Sequence, residues 1–336
     1  MGKIAITLDQ ALARREQQGA PGSTAARPLA HGEGWNVADI VCTFGPHDRP
    51  FEERHAGMCI AMVASGSFGY RAATGRELLT PGSLLLGNPG DCFECGHRHG
   101  AGDRCIAFRY APAYFERLAV DAGLGRGPLR FNHVRLPTLR ALSPLIARAC
   151  ATAVTGAEQA GGDAPDRQSH RAGECASRRA SDHASARASE YDPHRAAWHE
   201  LAVELAVATM QAVGSLKNPT AAPGAAVSAR VAQVIRLIDD TPGAAHTLTS
   251  LAAAAGLSEF YFLRTFQRVA GVTPHQYLLR ARLRTAALRL RDGGTKVVDI
   301  AFDCGFNDLS NFNHAFRAEF AATPRAWRAR GRAARA

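Results

Sequence analysis

The feature that most constrains this chain is an internal repeat near its C-terminus. Ser258, Phe262, Phe266, Thr273, Pro274 and Tyr277 are answered 50 positions later by Asp308, Phe312, Phe316, Thr323, Pro324 and Trp327. Upstream of the cap the offset falls to 49, pairing Leu251, Ala252 and Gly256 with Ile300, Ala301 and Gly305, so one copy carries a turn one residue longer. Each copy reads as a short helix, a turn at glycine, and a second helix capped by the oxygen of Ser258 or Asp308. That order is helix-turn-helix grammar. Ala252 and Ala301 let the paired helices cross closely, while Phe262 and Phe266, like Phe312 and Phe316, stand four apart on the inward face.

The outward face carries a different chemistry. A rotation of about 100° per residue from Phe262 leaves Phe260, Arg264 and Gln267 outside, with Leu263 at the edge. In the second copy Ser310, His314 and Arg317 take those places, Asn313 lies at the edge, and Leu309 sits in the first turn. Arg bridges guanine bidentately, Asn reads adenine, and an exposed Phe or Leu touches a thymine methyl, so this is a DNA-reading set. Between the copies, the spacing predicts one helix over 274–292, capped by Thr273 and ended by Gly293-Gly294. Nineteen residues at ~1.5 Å each span roughly 28 Å, against roughly 34 Å between successive major-groove faces. Arg280, Arg284 and Arg291 fall near one face of that helix, available either for phosphate contact or as a solvated face. Charge points the same way: of a formal +10, residues 228–336 hold +8, from sixteen basic and eight acidic side chains. Such asymmetry favours a polyanionic partner.

A chain of 336 residues suits two domains. From Trp35 to Tyr110 short apolar runs alternate with turns at Ser65-Gly66, Thr74-Gly75, Pro81-Gly82 and Pro89-Gly90, which predicts closely spaced strands in a sandwich or small barrel. Helical periodicity begins near Leu136 and runs to Val154. Between Gly156 and Glu190 there is no Ile, Leu, Val, Met, Phe, Trp or Tyr, a composition that cannot build a core and reads as disorder. A second helix follows from about His194 to Val213, with Trp198, Leu201, Leu205 and Ala208 on one face, suited to a partner chain or to the chain's own barrel. The N-terminus lacks the pattern of a signal peptide, and no apolar run approaches membrane-spanning length, so a cytoplasmic protein with reduced cysteines is expected.

The residues at this point resemble the AraC family of bacterial regulators, over about Ser228 to Arg330. The Ser-x3-Phe-x-Arg-x-Phe-x4-Gly run from Ser258 to Gly271, the Gly-Phe-x-Asp-x-Ser-x-Phe-x-His-x-Phe-Arg run from Gly305 to Arg317, and Thr323-Pro324-x2-Trp327-Arg328 follow that pattern. The resemblance implies sequence-specific binding of double-stranded DNA and transcription activation through contact with RNA polymerase. The region from Trp35 to Ala119 is similar to the cupin-type β-barrels that hold a small-molecule effector in many such regulators, although the usual cupin metal motif is absent, and the two N-terminal-domain helices resemble the family's elements for a homodimer. The expected architecture is a multidomain α+β chain with a cupin-like β-barrel, trailing helices, and an all-α domain of two helix-turn-helix motifs joined by a long helix. Its expected segments are a poorly ordered 1–34, an effector barrel with first helix over 35–155, a disordered insertion over 156–191, a dimerisation helix over 192–214, a linker over 215–227 and the DNA-binding domain over 228–331.

One further cluster stands out. Cys92, Cys95, His97, His99 and Cys105 lie within fourteen positions and bring together soft ligands that zinc or another thiophilic metal ion could use. Alternation along a strand would let Cys95, His97 and His99 converge while Cys92 points away. Buried thiols and pocket-lining histidines are the plainer assignment. Three rivals to an effector-controlled regulator follow: a metal- or redox-sensing regulator, a methyl-acceptor DNA-repair protein, and a cupin-type enzyme with a DNA-binding appendage. The cysteine spacing does not reproduce the four-cysteine pattern of the repair proteins, and no nucleophile, base and acid set supports an enzyme. His55 stands alone near a strand, suited to a ligand or to a satisfied core.

Overall fold

The central strands of the N-terminal half are apolar on both faces because both faces are covered. In β4 (Met58–Gly66), Met58, Ile60 and Met62 point one way and Cys59, Ala61 and Val63 the other, and all six are buried. The computed structural model describes residues 3–98, 100–125, 129–159, 192–216, 224–292 and 294–333. Within them, β4 belongs to a six-stranded antiparallel sheet with β1 (Thr24–Gly32), β2 (Trp35–Cys42), β7 (Leu84–Gly87), β9 (Asp103–Tyr110) and β10 (Arg135–Leu136), in the order β1-β2-β9-β4-β7-β10. A four-stranded sheet, β3 (Phe51–Arg54), β8 (Cys92–Gly96), β5 (Phe68–Ala72) and β6 (Gly75–Leu79), in that order, faces it. Two separate sheets therefore stand where a closed barrel was expected.

Val63, Tyr70, Leu79, Cys95 and Cys105 fill one core around the inner face of β4. The opposite side of the six-stranded sheet is covered by α2 (Pro112–Asp121), α3 (Ser143–Gln159) and α4 (Pro193–Gly214), where Phe108 meets Trp198 at a ring separation of 5.9 Å. Trp198, Leu201 and Leu205 are all buried there, so of the two uses open to this stripe, a partner chain or the chain's own sheet, it serves the second. Across β2 and β9, Arg104 grips Asp39 with two charge-assisted hydrogen bonds of 2.7 and 2.6 Å, both groups buried.

The segment 1–34, expected to be poorly ordered, carries structure instead. Helix α1 (Lys3–Gln18) buries Leu8 and anchors Arg15 on Asp48 at 2.8 Å, and β1 pairs along its length with β2, the ladder shifting between Pro28 and Ala30. Proline is tolerated there because β1 is an edge strand. Helix α3 runs to Gln159, past the expected boundary at 155, and most of the expected insertion (160–191) and of the expected linker (217–223) lies outside the described residues.

The C-terminal half consists of α5 (Ala225–Asp240), α6 (Leu248–Ala254), α7 (Glu259–Ala270), α8 (Pro274–Asp292), α9 (Val297–Asp303), α10 (Leu309–Phe320) and α11 (Pro324–Ala333). Helix α8 occupies the span read from the sequence, opened by a reciprocal capping box in which Gln276 N donates to Thr273 Oγ1 at 3.3 Å and Thr273 N donates to Gln276 Oε1 at 3.1 Å. Its first turns, through Tyr277, Leu278 and Ala281, close the core of the first unit. Its later turns, through Leu283, Ala286, Ala287 and Leu290, close that of the second. One helix thus serves as a wall of both.

Candidate nucleic-acid interface

The two units are built alike from the inside out. Phe262 and Phe266 meet with ring centroids 5.5 Å apart, as do Phe312 and Phe316, and all four rings are buried. The helix after each reader then adds one aromatic ring: Tyr277 against Phe266 at 5.7 Å and Trp327 against Phe316 at 6.2 Å. Each of these rings also satisfies its polar atom, Tyr277 Oη donating to Asp239 at 2.7 Å and Trp327 Nε1 donating to the Ala287 carbonyl at 3.0 Å. With the inward face so fixed, the opposite face of each reader is solvent-facing by geometry.

On α7, Phe260, Arg264 and Gln267 are exposed, Phe260 to 70%, and Leu263 is partly buried. The Arg264 guanidinium stands over the Phe260 ring at 5.7 Å, which orients it. On α10, Leu309, Ser310, Asn313, His314 and Arg317 are exposed. The capping differs: Asp308 accepts from the Asn311 amide at 2.6 Å, whereas Ser258 makes no side-chain cap and only its carbonyl accepts, from Phe262 N at 2.8 Å. The expectation of two equivalent caps therefore fails at Ser258. Tyr261, 49% exposed, and Arg268 also face solvent on α7, and the sequence reading passed over them because they lie on the flank of the chosen face.

Of Arg280, Arg284 and Arg291 on α8, the first two face elsewhere than expected. Arg280 donates to the Thr138 carbonyl and approaches Glu319 at 3.5 Å, and Arg284 pairs with Asp239 at 3.3 Å beneath the N-terminal domain. Both are turned to the seam between the domains and engaged there, rather than left free on an outer face. Burial pushes the Asp239 carboxyl up to about 6, against the pull of Arg284. The seam also holds the far ends of both readers: Arg135 donates to the Val269 carbonyl of α7 at 2.8 Å, and Arg140 donates to the Ala318 carbonyl of α10 at 2.6 Å. A cavity of about 630 Å³ opens beside it, walled by α1 (Leu8, Leu12), β4 (Val63), α5 (Arg236) and α8 (Arg284, Leu288).

The cysteine and histidine cluster separates. Cys92 is exposed, His99 lies outside the described residues, and Cys95, His97 and Cys105 are buried. His97 donates from Nε2 to Asp103 at 2.6 Å, and Cys105 donates to the same carboxylate at 3.3 Å. Cys42, far away in sequence, joins His97 and Asp103, their donor atoms lying within 4.8 Å of one another. Burial pushes the Cys42 thiol up to about 12, helped by the Asp103 charge, and raises Cys95 and Cys105 for the same two reasons. His55 accounts for itself: it is buried, 2.7 Å from Tyr70 Oη and stacked on Phe93, and desolvation holds it down to about 4, a neutral imidazole.

Two helix-turn-helix units sharing one long helix define a class of DNA-binding domain. A family model described as a helix-turn-helix domain matches residues 251–330. The HTH-type transcriptional activator RhaS of Klebsiella pneumoniae is 37% identical over 97 residues, which cover 29% of this chain and 35% of that protein. The RCS-specific HTH-type transcriptional activator RclR of Escherichia coli is 38% identical over 103 residues, 31% of this chain and 36% of the relative. The chain thus spans about a third of the length of these relatives. Among solved structures, the DNA-binding domain of AdpA in complex with a target DNA is 29% identical, with a TM-score of 0.31, covering 32% of this chain and 96% of that one. An AraC-type regulator from Chromobacterium violaceum is 26% identical, with a TM-score of 0.30, covering 32% and 96%. The C-terminal domain of this chain is an AraC-type double helix-turn-helix domain.

Proposed function

We propose that the chain is a sequence-specific transcription regulator, an activator controlled by a small effector, acting on double-stranded DNA in the cytoplasm. The observation that carries this reading is the pair of exposed reader faces, Phe260, Leu263, Arg264 and Gln267 on α7 and Leu309, Ser310, Asn313, His314 and Arg317 on α10, each backed by a matching aromatic core. Their side chains are those that read base edges in the major groove. Selection of binding sites from genomic fragments with the full chain, followed by footprinting, tests it. The expected footprint covers two successive major-groove faces on one side of the duplex, and binding that does not discriminate among sequences refutes the reading.

The effector belongs, in this reading, in the cavity between the domains, where its walls come from both and occupancy changes how they fit. An effector that binds one fit better than the other shifts DNA affinity, and one that binds both equally shifts nothing. Activation through RNA polymerase is read by transcription from bound promoters: unchanged transcript levels remove it. Assembly as a homodimer is read by sedimentation of the full chain, and a monomer mass removes it. Because the stripe of Leu201 is internal, a homodimer uses other surfaces.

A further inference from the structure

We propose that Cys42, His97 and Asp103 form a binding site for a divalent thiophilic cation of the zinc type between the two sheets of the N-terminal domain. The three residues come from different places: Cys42 ends β2, Asp103 starts β9, and His97 follows β8 of the opposing sheet. Cys42 and Asp103 are directly paired across the β2–β9 ladder, so their spacing is set by the sheet. All three are buried, and their donor atoms lie within 4.8 Å of one another. Ligand atoms around a tetrahedral zinc stand roughly 3.3–3.8 Å apart, so small side-chain adjustments close the site.

A second observation points to a ligand. The Nδ1 of His97 is buried and makes no hydrogen bond, while its Nε2 is held by Asp103. An imidazole nitrogen buried without a partner is costly, and here it leaves Nδ1 free to take the ring proton when a cation replaces that proton between Nε2 and Asp103. The donor set of one sulfur, one nitrogen and one oxygen suits a borderline-soft cation. Charge balances as well: Zn²⁺ binds, the Cys42 thiol releases its proton to solvent, and thiolate plus carboxylate neutralise the ion.

The site is wired to the rest of the chain. Gly100, between His97 and Asp103, lies so close to α5 that a Cβ there would stand 1.8 Å from Arg236 Nη1. A Cβ at Gly102, where φ is +73°, would stand 2.9 Å from the Cys42 carbonyl oxygen, 2.9 Å from Leu8 Cδ1 and 3.1 Å from Leu12 Cδ2 of α1. Arg236, Leu8 and Leu12 also line the cavity between the domains. Tightening the loop around a cation therefore moves the floor on which the DNA-binding domain sits. This consequence rests on the regulator reading, whereas the metal site does not.

The test uses the full chain, purified under reducing conditions, stripped with chelator and dialysed against Zn²⁺, with metal measured per chain. One tightly held equivalent is expected, and Co²⁺ in its place should give a sulfur-to-metal charge-transfer band. Cys42→Ser and Asp103→Asn should each lose at least tenfold in affinity, with circular dichroism reporting the fold, while Cys92→Ser and Cys304→Ser should match the parent. No metal on the parent chain, or full retention in folded Cys42→Ser and Asp103→Asn, overturns the site. Operator affinity with and without Zn²⁺ reads the coupling: a several-fold shift in the parent and none in Asp103→Asn supports it, and bound zinc that leaves affinity unchanged overturns it. Failure to find any operator defeats the regulator reading and leaves the metal result standing.

Discussion

The two helix-turn-helix units share a plan but are fastened differently. The reader of the first ends at Gly271, whose φ of +79° is the left-handed conformation, and whose missing side chain lets Pro137 pack against it. The reader of the second ends in the same conformation at Ala321, with φ of 51°, a residue that adopts it only at a cost. The first unit has been fitted to the N-terminal domain at the level of a single missing methyl. Both units receive an arginine from the seam, Arg135 on the Val269 carbonyl and Arg140 on the Ala318 carbonyl, and the second adds Ser143 on Glu319 where the first has its close glycine contact. Repetition of a motif therefore does not make its copies interchangeable: the same turn tolerates alanine where it is open and requires glycine where a neighbour presses on it.

The largest effect that probes this comparison lies in the cores. Phe266→Ala and Phe316→Ala should each cost about 3–5 kcal/mol, as loss of a buried aromatic ring does, read by urea unfolding of the full chain. Because Phe316 also packs on Phe320 at 4.6 Å, its loss should be the larger, and equal costs would make the two cores equivalent after all. Next comes Gly271→Ala. Its Cβ would stand 2.3 Å from Pro137 Cβ, so the change should cost at least about 1–2 kcal/mol from the backbone alone and loosen the seam. Faster proteolysis within 135–143 would register the loosening, and an unchanged rate would deny that Gly271 is a docking point.

A smaller effect separates the readers by function. Arg264→Ala should cost roughly 1–3 kcal/mol at one base pair and relax selectivity there, measured by competition among operator variants. Asn313→Ala and His314→Ala should act in the same sense but more weakly. Uniform weakening on every sequence would assign Arg264 to the backbone instead. The smallest expected change has the opposite sign: Ala321→Gly should raise stability by up to about 1 kcal/mol, because glycine adopts the left-handed conformation without strain. No gain in thermal unfolding would mean that the open turn of the second unit stores no strain.

Much of the C-terminal domain was legible because its determinants are local. Thr273 and Pro274 announce α8, Phe pairs four apart announce the inward faces, and the outward residues follow by rotation. The flank residues Tyr261 and Arg268 escaped, since a face drawn from one anchor has arbitrary edges. Less of the N-terminal domain could be read. Turns and alternation predicted strands, yet the separation into sheets of six and four strands depends on pairings between distant segments. Segment 1–34 offered little apolar periodicity, and its order comes from contacts made elsewhere, Leu8 against the sheet and β1 along β2.

The amino-acid sequence by itself determined the duplicated helical units, their spacing and which of their side chains face outward, because periodicity and caps act within a few residues of the groups they position. Only the tertiary structure decided that Arg280 and Arg284 serve the domain seam, that the α4 stripe closes an internal core, and that Cys42 meets His97 and Asp103. Local pattern says which side of an element is apolar or charged, while what lies opposite is set by antiparallel pairing and packing over long stretches of chain, which no short window of sequence contains.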